Sequence, residues 1–265
     1  MPKVIVERRG AVLEIALDRP EVLNAVDREA IAGLAAAAAE AAEDRAARAI
    51  LLSGRGKHFC AGGDIGMFAA LADLSPEARH RELYATVEML HPLLVRLRHM
   101  PKPVVAAVQG AAAGFGLSLV LAADLALAAE DAVFACGYIH LGTSPDGGMT
   151  ATLPAVVGLK RAAELMLLGE RFDARRALAL GIANRLVPAD RLAAEAEALA
   201  QRLAAGPGAA YARTKALLQA SLGDGFEAQL RREAENFAAC AATDDFVEGV
   251  RAFLDKRPPL FRDRE

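Results

Sequence analysis

Tryptophan is absent from the 265-residue chain, and aromatic residues together make up only 5% of it. Hydrophobic residues account for 54%. The core must therefore be built from Ala, Leu and Val, which lets backbones approach closely. A formal charge of −3 offers no electrostatic footprint for nucleic acid. No uninterrupted apolar run reaches the roughly 18 residues of a membrane span, and the first residues lack a signal peptide's basic and apolar regions. Three widely spaced cysteines, Cys60, Cys136 and Cys240, do not make a disulfide framework. The five histidines, at 58, 80, 91, 99 and 140, show no metal-ligand spacing, so no metal site is expected. These absences predict a soluble, cytoplasmic protein, with neither nucleic acid nor membrane as a partner. The length fits one large domain, or one domain with a small appendage.

What is present begins with two short strands, "KVIVERR" and "AVLEIAL", turning at Gly10. Asp27 can cap a helix starting "REAIAGLAAAAAE", whose alanine run suits close packing on a sheet. "ARAILLSG" and "KPVVAAV" read as buried strands, each followed by a glycine-rich loop and a helix. Between them, Ser75 caps a long helix with Pro76 at its first position, and Pro92 is expected to kink or break it. "DLALAAEDAVFAC" reads as strand and turn. Strand–helix alternation predicts an α/β fold. From Pro154 onward the pattern becomes mostly helical, and no internal repeat shows a clear sequence period.

The loops "FCAGGDI" (59–65) and "AAAGFGLSL" (111–119) share one design, small residues running into a helix start. Helix N-termini present unpaired N–H groups, and glycines let a ligand reach them. Two such ends can aim two donors at one oxygen, the geometry of an oxyanion hole. Either loop alone is more often a tight turn. "GFGLSL" lacks the third glycine of a dinucleotide fingerprint, and no Walker lysine follows either loop.

With "RPEVLNAV" (19–26), "FCAGGDI", residues 102–134, residues 141–188 and the terminal "FLDKRPPLFRDR" (253–264), the chain resembles the crotonase, or enoyl-CoA hydratase/isomerase, superfamily. The resemblance spans nearly the whole chain in the right order. It implies a spiral core of ββα units, taken as residues 1–200, and a C-terminal helical region, 201–265, that builds a homotrimer or hexamer. It also implies an acyl-CoA thioester substrate, with coenzyme A as part of the substrate and no separate cofactor. By motif position, the N–H groups of Gly63 and Phe115 hold the thioester oxyanion. Val22, Ala61, Asp64 and Ile65, together with Ser118 and Tyr138, are then expected to contact the substrate.

Hydratases of this family carry two glutamates that position and activate water. At those positions this chain has Ser118 and Tyr138. Either can hold a water, but neither is a good base near neutral pH. Asp146, in "LGTSPDGGMT", occupies the position where several family isomerases and dehalogenases carry a functional carboxylate. From its Pro/Gly setting alone it reads as a turn residue or helix cap. The family position makes it the expected proton shuttle of an enoyl-CoA isomerase, with Phe115, Leu141 and Met149 as candidate apolar neighbours. The alternatives are an atypical hydratase using water on Ser118 or Tyr138, a dehalogenase assisted by His91, and an inactive acyl-CoA-binding homologue. His140 has a weaker claim than His91, Cys60 reads as a small buried residue, and Lys256 is either a CoA-phosphate contact from an adjacent subunit or a solvated helix end.

Overall fold

The computed structural model describes residues 2–262; the last residues of the C-terminal motif, 263 and 264, lie outside them, as does the final residue. Strands β1 (Val4–Arg9) and β2 (Val12–Leu17) form an antiparallel hairpin around Gly10, whose φ of 62° suits the turn. Helix α1 (Arg28–Glu43) starts where the Asp27 carboxylate accepts the Ala30 N–H, and buries Ala30, Ala37, Ala38 and Ala41. Strand β3 (Ala49–Gly54) follows, then the first glycine loop and α2 (Ile65–Ala72).

The expected long helix is two, α3 (Pro76–Glu88) and α4 (His91–His99). Ser75 caps the first, and Pro92, which has no N–H to continue the ladder, makes a break rather than a kink. Next come β4 (Val104–Val108), the short β5 (Ala111–Ala113), α5 (Phe115–Ala122), β6 (Leu125–Ala129) and β7 (Val133–Ala135). After α6 (Met149–Val157) and α7 (Leu159–Leu168), the mostly helical region still supplies two strands, β8 (Phe172–Asp173) and β9 (Arg185–Val187), separated by α8 (Ala174–Ala179). At two and three residues they are too short to show an alternating period. The chain ends with α9 (Leu192–Ala204), α10 (Gly208–Ala220), α11 (Phe226–Ala241) and α12 (Asp244–Leu254). Among the described residues no helix is long and apolar enough to cross a membrane.

The strands form a six-stranded sheet, β1-β2-β3-β4-β6-β9, and a three-stranded one, β5-β7-β8. Beyond the β1–β2 hairpin every pair in the large sheet is parallel, and its inner strands β2, β3, β4 and β6 are nearly continuous apolar runs. The chain shuttles between the sheets: β4 leads to β5 and α5, and β6 leads to β7 and then to α6. Two single-residue bridges, Val26 with Gly63 and Cys60 with Ala112, extend the same parallel logic. After β2, Val26 precedes α1; after β3, Cys60 precedes α2. Each turn of the spiral is therefore strand, short ladder segment, helix. This structural repeat is one the residues themselves do not spell out.

Helix α9 lies across β2, β3, β4 and β6 and buries Ala196, Ala200 and Ala204. Position 200 falls within it. In α10, the ammonium of Lys215 donates to the carbonyls of Leu97 (2.8 Å) and Lys102 (3.1 Å) and to Asp124 (2.7 Å), which fastens this helix to the core. Further out, Phe226, Phe237, Phe253 and Leu254 are exposed on α11 and α12.

Candidate active site

The short ladder decides what meets what. Val26 N–H donates to Gly62 O, and Asp64 N–H donates back to Val26 O, so the Gly63 N–H lies off that bridge. Cys60 exchanges bonds with β5 in the same way: Cys60 N–H to Ala111 O and Ala113 N–H to Cys60 O, each 3.0 Å. The two glycine loops are thus neighbours. A Cβ added at Gly62, which has φ +105°, would stand 3.0 Å from Ala113 O and 3.7 Å from the Gly114 Cα. The starts of α2 and α5 lie side by side. Among the described residues the N–H groups of Gly63 and Phe115 donate to no protein acceptor. Unpaired donors at adjacent helix starts suit an oxygen that gains negative charge.

Further bonds make this arrangement rigid. The buried Asn24, held at a left-handed φ of 57°, donates to the carbonyls of Arg55 (2.9 Å) and His58 (2.6 Å) and accepts the Arg19 N–H at 2.8 Å. Nδ1 of His58 accepts the Ala111 N–H at 3.0 Å, which ties the first loop to the strand leading into the second. Sequence reading assigned neither residue a task. The signal available for Asn24 was its residue type, since Asn tolerates left-handed backbone better than most.

Asp146 precedes α6 but does not cap it, for that helix start receives no side-chain hydrogen bond. Its Oδ1 instead accepts the Tyr138 hydroxyl at 2.6 Å. The backbone is pinned as well: Asp146 O accepts the Met149 N–H at 3.1 Å and the Ser118 hydroxyl at 3.4 Å. Gly147, at φ +60°, leaves no room for a side chain, because a Cβ there would be 2.8 Å from Ser118 Oγ and 3.2 Å from the Phe115 ring. Burial raises the Asp146 pKa above the ordinary carboxylate value, offset in part by the Tyr138 hydrogen bond, its own backbone N–H and the charge of His91. Burial, followed by the Asp146 charge, also pushes the Tyr138 phenol upward, so it stays a donor.

The other expected site residues fall in different places. Ser118 is fully buried on α5, behind Asp146, where its hydroxyl supports the loop. Ala61 and Val22 are half-buried and adjoin one another through the Ala61 N–H to Leu23 O bond (3.1 Å), while Ile65 is exposed at the start of α2. The Asp64 carboxylate is committed to the Gly66 N–H (2.8 Å) and to Arg19 (2.9 Å). Phe115 and Met149 are buried, whereas Leu141 is exposed. His91 is exposed at the start of α4, close enough for its charge to act on Asp146. His140 is tied instead to the Gly169 carbonyl, at 3.0 Å. Cys60 is fully buried, its thiol pushed up to about 12 by desolvation. Lys256 is exposed just past α12.

A spiral of strand–ladder–helix turns with a helical C-terminal region is the crotonase fold. The family model for enoyl-CoA hydratase/isomerase matches residues 7–264. A probable enoyl-CoA hydratase of Rhodobacter capsulatus is 42% identical over 250 residues, covering 94% of each chain. The 1,2-epoxyphenylacetyl-CoA isomerase of Escherichia coli is 36% identical over 251 residues, again 94% of each. The crystal structure of an enoyl-CoA hydratase from a Polaromonas species superposes with a TM-score of 0.91 at 35% identity, covering 98% of this chain and 99% of that one. The chain belongs to the enoyl-CoA hydratase/isomerase family of the crotonase superfamily, and it is an enzyme of that family.

Proposed function

We propose that the protein is an enoyl-CoA isomerase that moves a double bond from position 3 to position 2 of an acyl-CoA, with Asp146 carrying the proton. The observation that carries this reading is the pairing of one half-buried carboxylate, raised in pKa, with two unpaired backbone donors nearby. Asp146 takes a proton from C2, and the C–H pair delocalises through the thioester onto its oxygen. The N–H groups of Gly63 and Phe115 hold that oxyanion, a donor of this type stabilising a transition state by ~3 kcal/mol. The charge then returns, the carbonyl re-forms, C2=C3 forms and C4 receives the proton. Coenzyme A is part of the substrate and no separate cofactor is required.

Hydration needs a second group to activate water. Ser118 is buried behind the loop and Tyr138 is held as a donor, so neither supplies a base. The name of the Rhodobacter relative keeps hydration as the reading to test against. Incubation with 3-enoyl-CoA and with 2-enoyl-CoA, each repeated with Asp146→Asn, separates the two. Isomerisation lost in the variant supports the proposal, and hydration retained in it overturns the proposal. Binding of acyl-CoA without turnover points to an inactive homologue. The apolar side chains exposed on α11 and α12 support assembly into a homotrimer or hexamer. We place the protein in the cytoplasm.

A further inference from the structure

We infer that Tyr138 is a positioning residue: it ties off Oδ1 of Asp146, so that Oδ2 alone carries the migrating proton, along one face of the substrate. This rests on the isomerase reading and departs from the expectation that Tyr138 holds water or substrate. A short O–H···O⁻ bond to an ionised acceptor is among the stronger hydrogen bonds in proteins. Here both ends of it are anchored. Tyr138 opens a single 3₁₀ turn, Tyr138–Leu141, and its N–H donates to Cys136 O at 3.0 Å. Its own carbonyl accepts the Thr143 N–H and hydroxyl, each at 3.2 Å. The ring stands beside the start of α5, its Cζ 3.9 Å from where a Gly114 Cβ would be. At the other end, Met149, Ser118 and Gly147 hold the Asp146 backbone.

With Oδ1 engaged, a carboxylate cannot rotate to offer its two oxygens in turn without breaking that bond. Apart from the backbone N–H of Asp146 itself, no further donor among the described residues reaches the carboxylate, and no other residue among them donates to Oδ2. The groups facing the carboxylate are Tyr138 from the 3₁₀ turn, Ser118 from α5 and His91 from the start of α4. Of these, only the phenol bonds to a carboxylate oxygen. The C2–H bond breaks toward Oδ2 and the new C4–H bond forms from the same Oδ2, with no change of oxidation state. One oxygen serving both carbons keeps the proton on one face, and little of it exchanges with water.

The test is Tyr138→Phe in the full chain, read in two ways. Carboxyl-carbon NMR titration of substrate-free protein, repeated with His91→Gln to remove the nearby imidazole, follows Asp146 itself. Loss of the phenol hydrogen bond should raise the pH at which Asp146 titrates, because that bond favours the anion. With 3-enoyl-CoA deuterated at C2, the wild type should deliver label to C4. The variant should lose at least half of that label to solvent, with kcat down ~10- to 100-fold as for a misplaced catalytic group, and KM nearly unchanged. An unmoved titration, or unchanged label transfer with only KM affected, overturns the inference and leaves the ring as packing or substrate contact. A wild type that turns over no 3-enoyl-CoA overturns the isomerase reading and the single-oxygen shuttle, while the titration still decides whether Tyr138 holds Asp146.

Discussion

Gly116 lies so close to Cys60 that a Cβ added to it would stand 2.0 Å from the Cys60 carbonyl oxygen. That oxygen also accepts the Ala113 N–H, so the contact sits on the ladder that brings the two glycine loops together. The helix start at Phe115 therefore reaches its place beside Gly63 only if the next residue has no side chain.

Gly116→Ala should separate the two helix starts. We expect a loss of stability of ~1–3 kcal/mol, as for overpacked cores, with activity falling more than that loss explains. Urea denaturation and kcat/KM on 3-enoyl-CoA measure the two effects separately.

Asp146→Asn should lower isomerisation by ~10²–10⁴-fold, the usual contribution of a positioned acid–base group. KM should change little, and single-turnover rates would place the loss in the chemical step.

The pH profile follows from the same carboxylate. The base must be ionised, so kcat/KM of the wild type should fall as pH drops through the Asp146 pKa. Burial raises that pKa, which puts the acid limb above the ordinary carboxylate range.

Stability should run the opposite way. A carboxyl whose pKa is raised on folding binds protons more tightly in the native state, so stability falls as pH rises from the unfolded to the folded pKa. Asp146→Asn removes this effect. The variant should melt higher than wild type near neutral pH, and the difference should vanish below the unfolded carboxylate pKa. Thermal melts across pH measure it.

Lys215→Met leaves the Asp124 carboxylate without its buried cation. Breaking such a pair should cost about 3 kcal/mol or more. Adding Asp124→Asn should recover part of that, measured as the shift in urea midpoint.

The parts of this molecule with local signals were legible in the sequence. Asp27 and Ser75 announced their helices because capping needs only a side chain and an N–H three residues on. Pro92 marked a boundary because its missing N–H acts on its own helix. The family position singled out Asp146; its backbone carbonyl closes a turn with the Met149 N–H, as its Pro/Gly setting suggested, while the absence of a side-chain bond at the start of α6 removes the helix-cap explanation for its carboxylate. The short ladder was not legible, since a bridge of one residue, as at Val26 or Cys60, has no period to detect. Tyr138 read as a water or substrate contact because nothing local revealed that a 3₁₀ turn aims it back at a carboxylate eight residues on. Asn24 and His58 act through backbone groups of other segments, and residue type alone cannot reveal that.

The single-residue bridges bear on folding as well as on architecture. The first donor rests on a segment that pairs with Val26, the second follows a strand that pairs with Cys60, and the acid leans on Ser118. No contiguous stretch contains enough of these supports to make a partial site. Contacts so far apart in sequence are costly to close and form late. Regain of catalysis on refolding should therefore lag behind the return of helical signal, making turnover a clock for the last joins of the spiral.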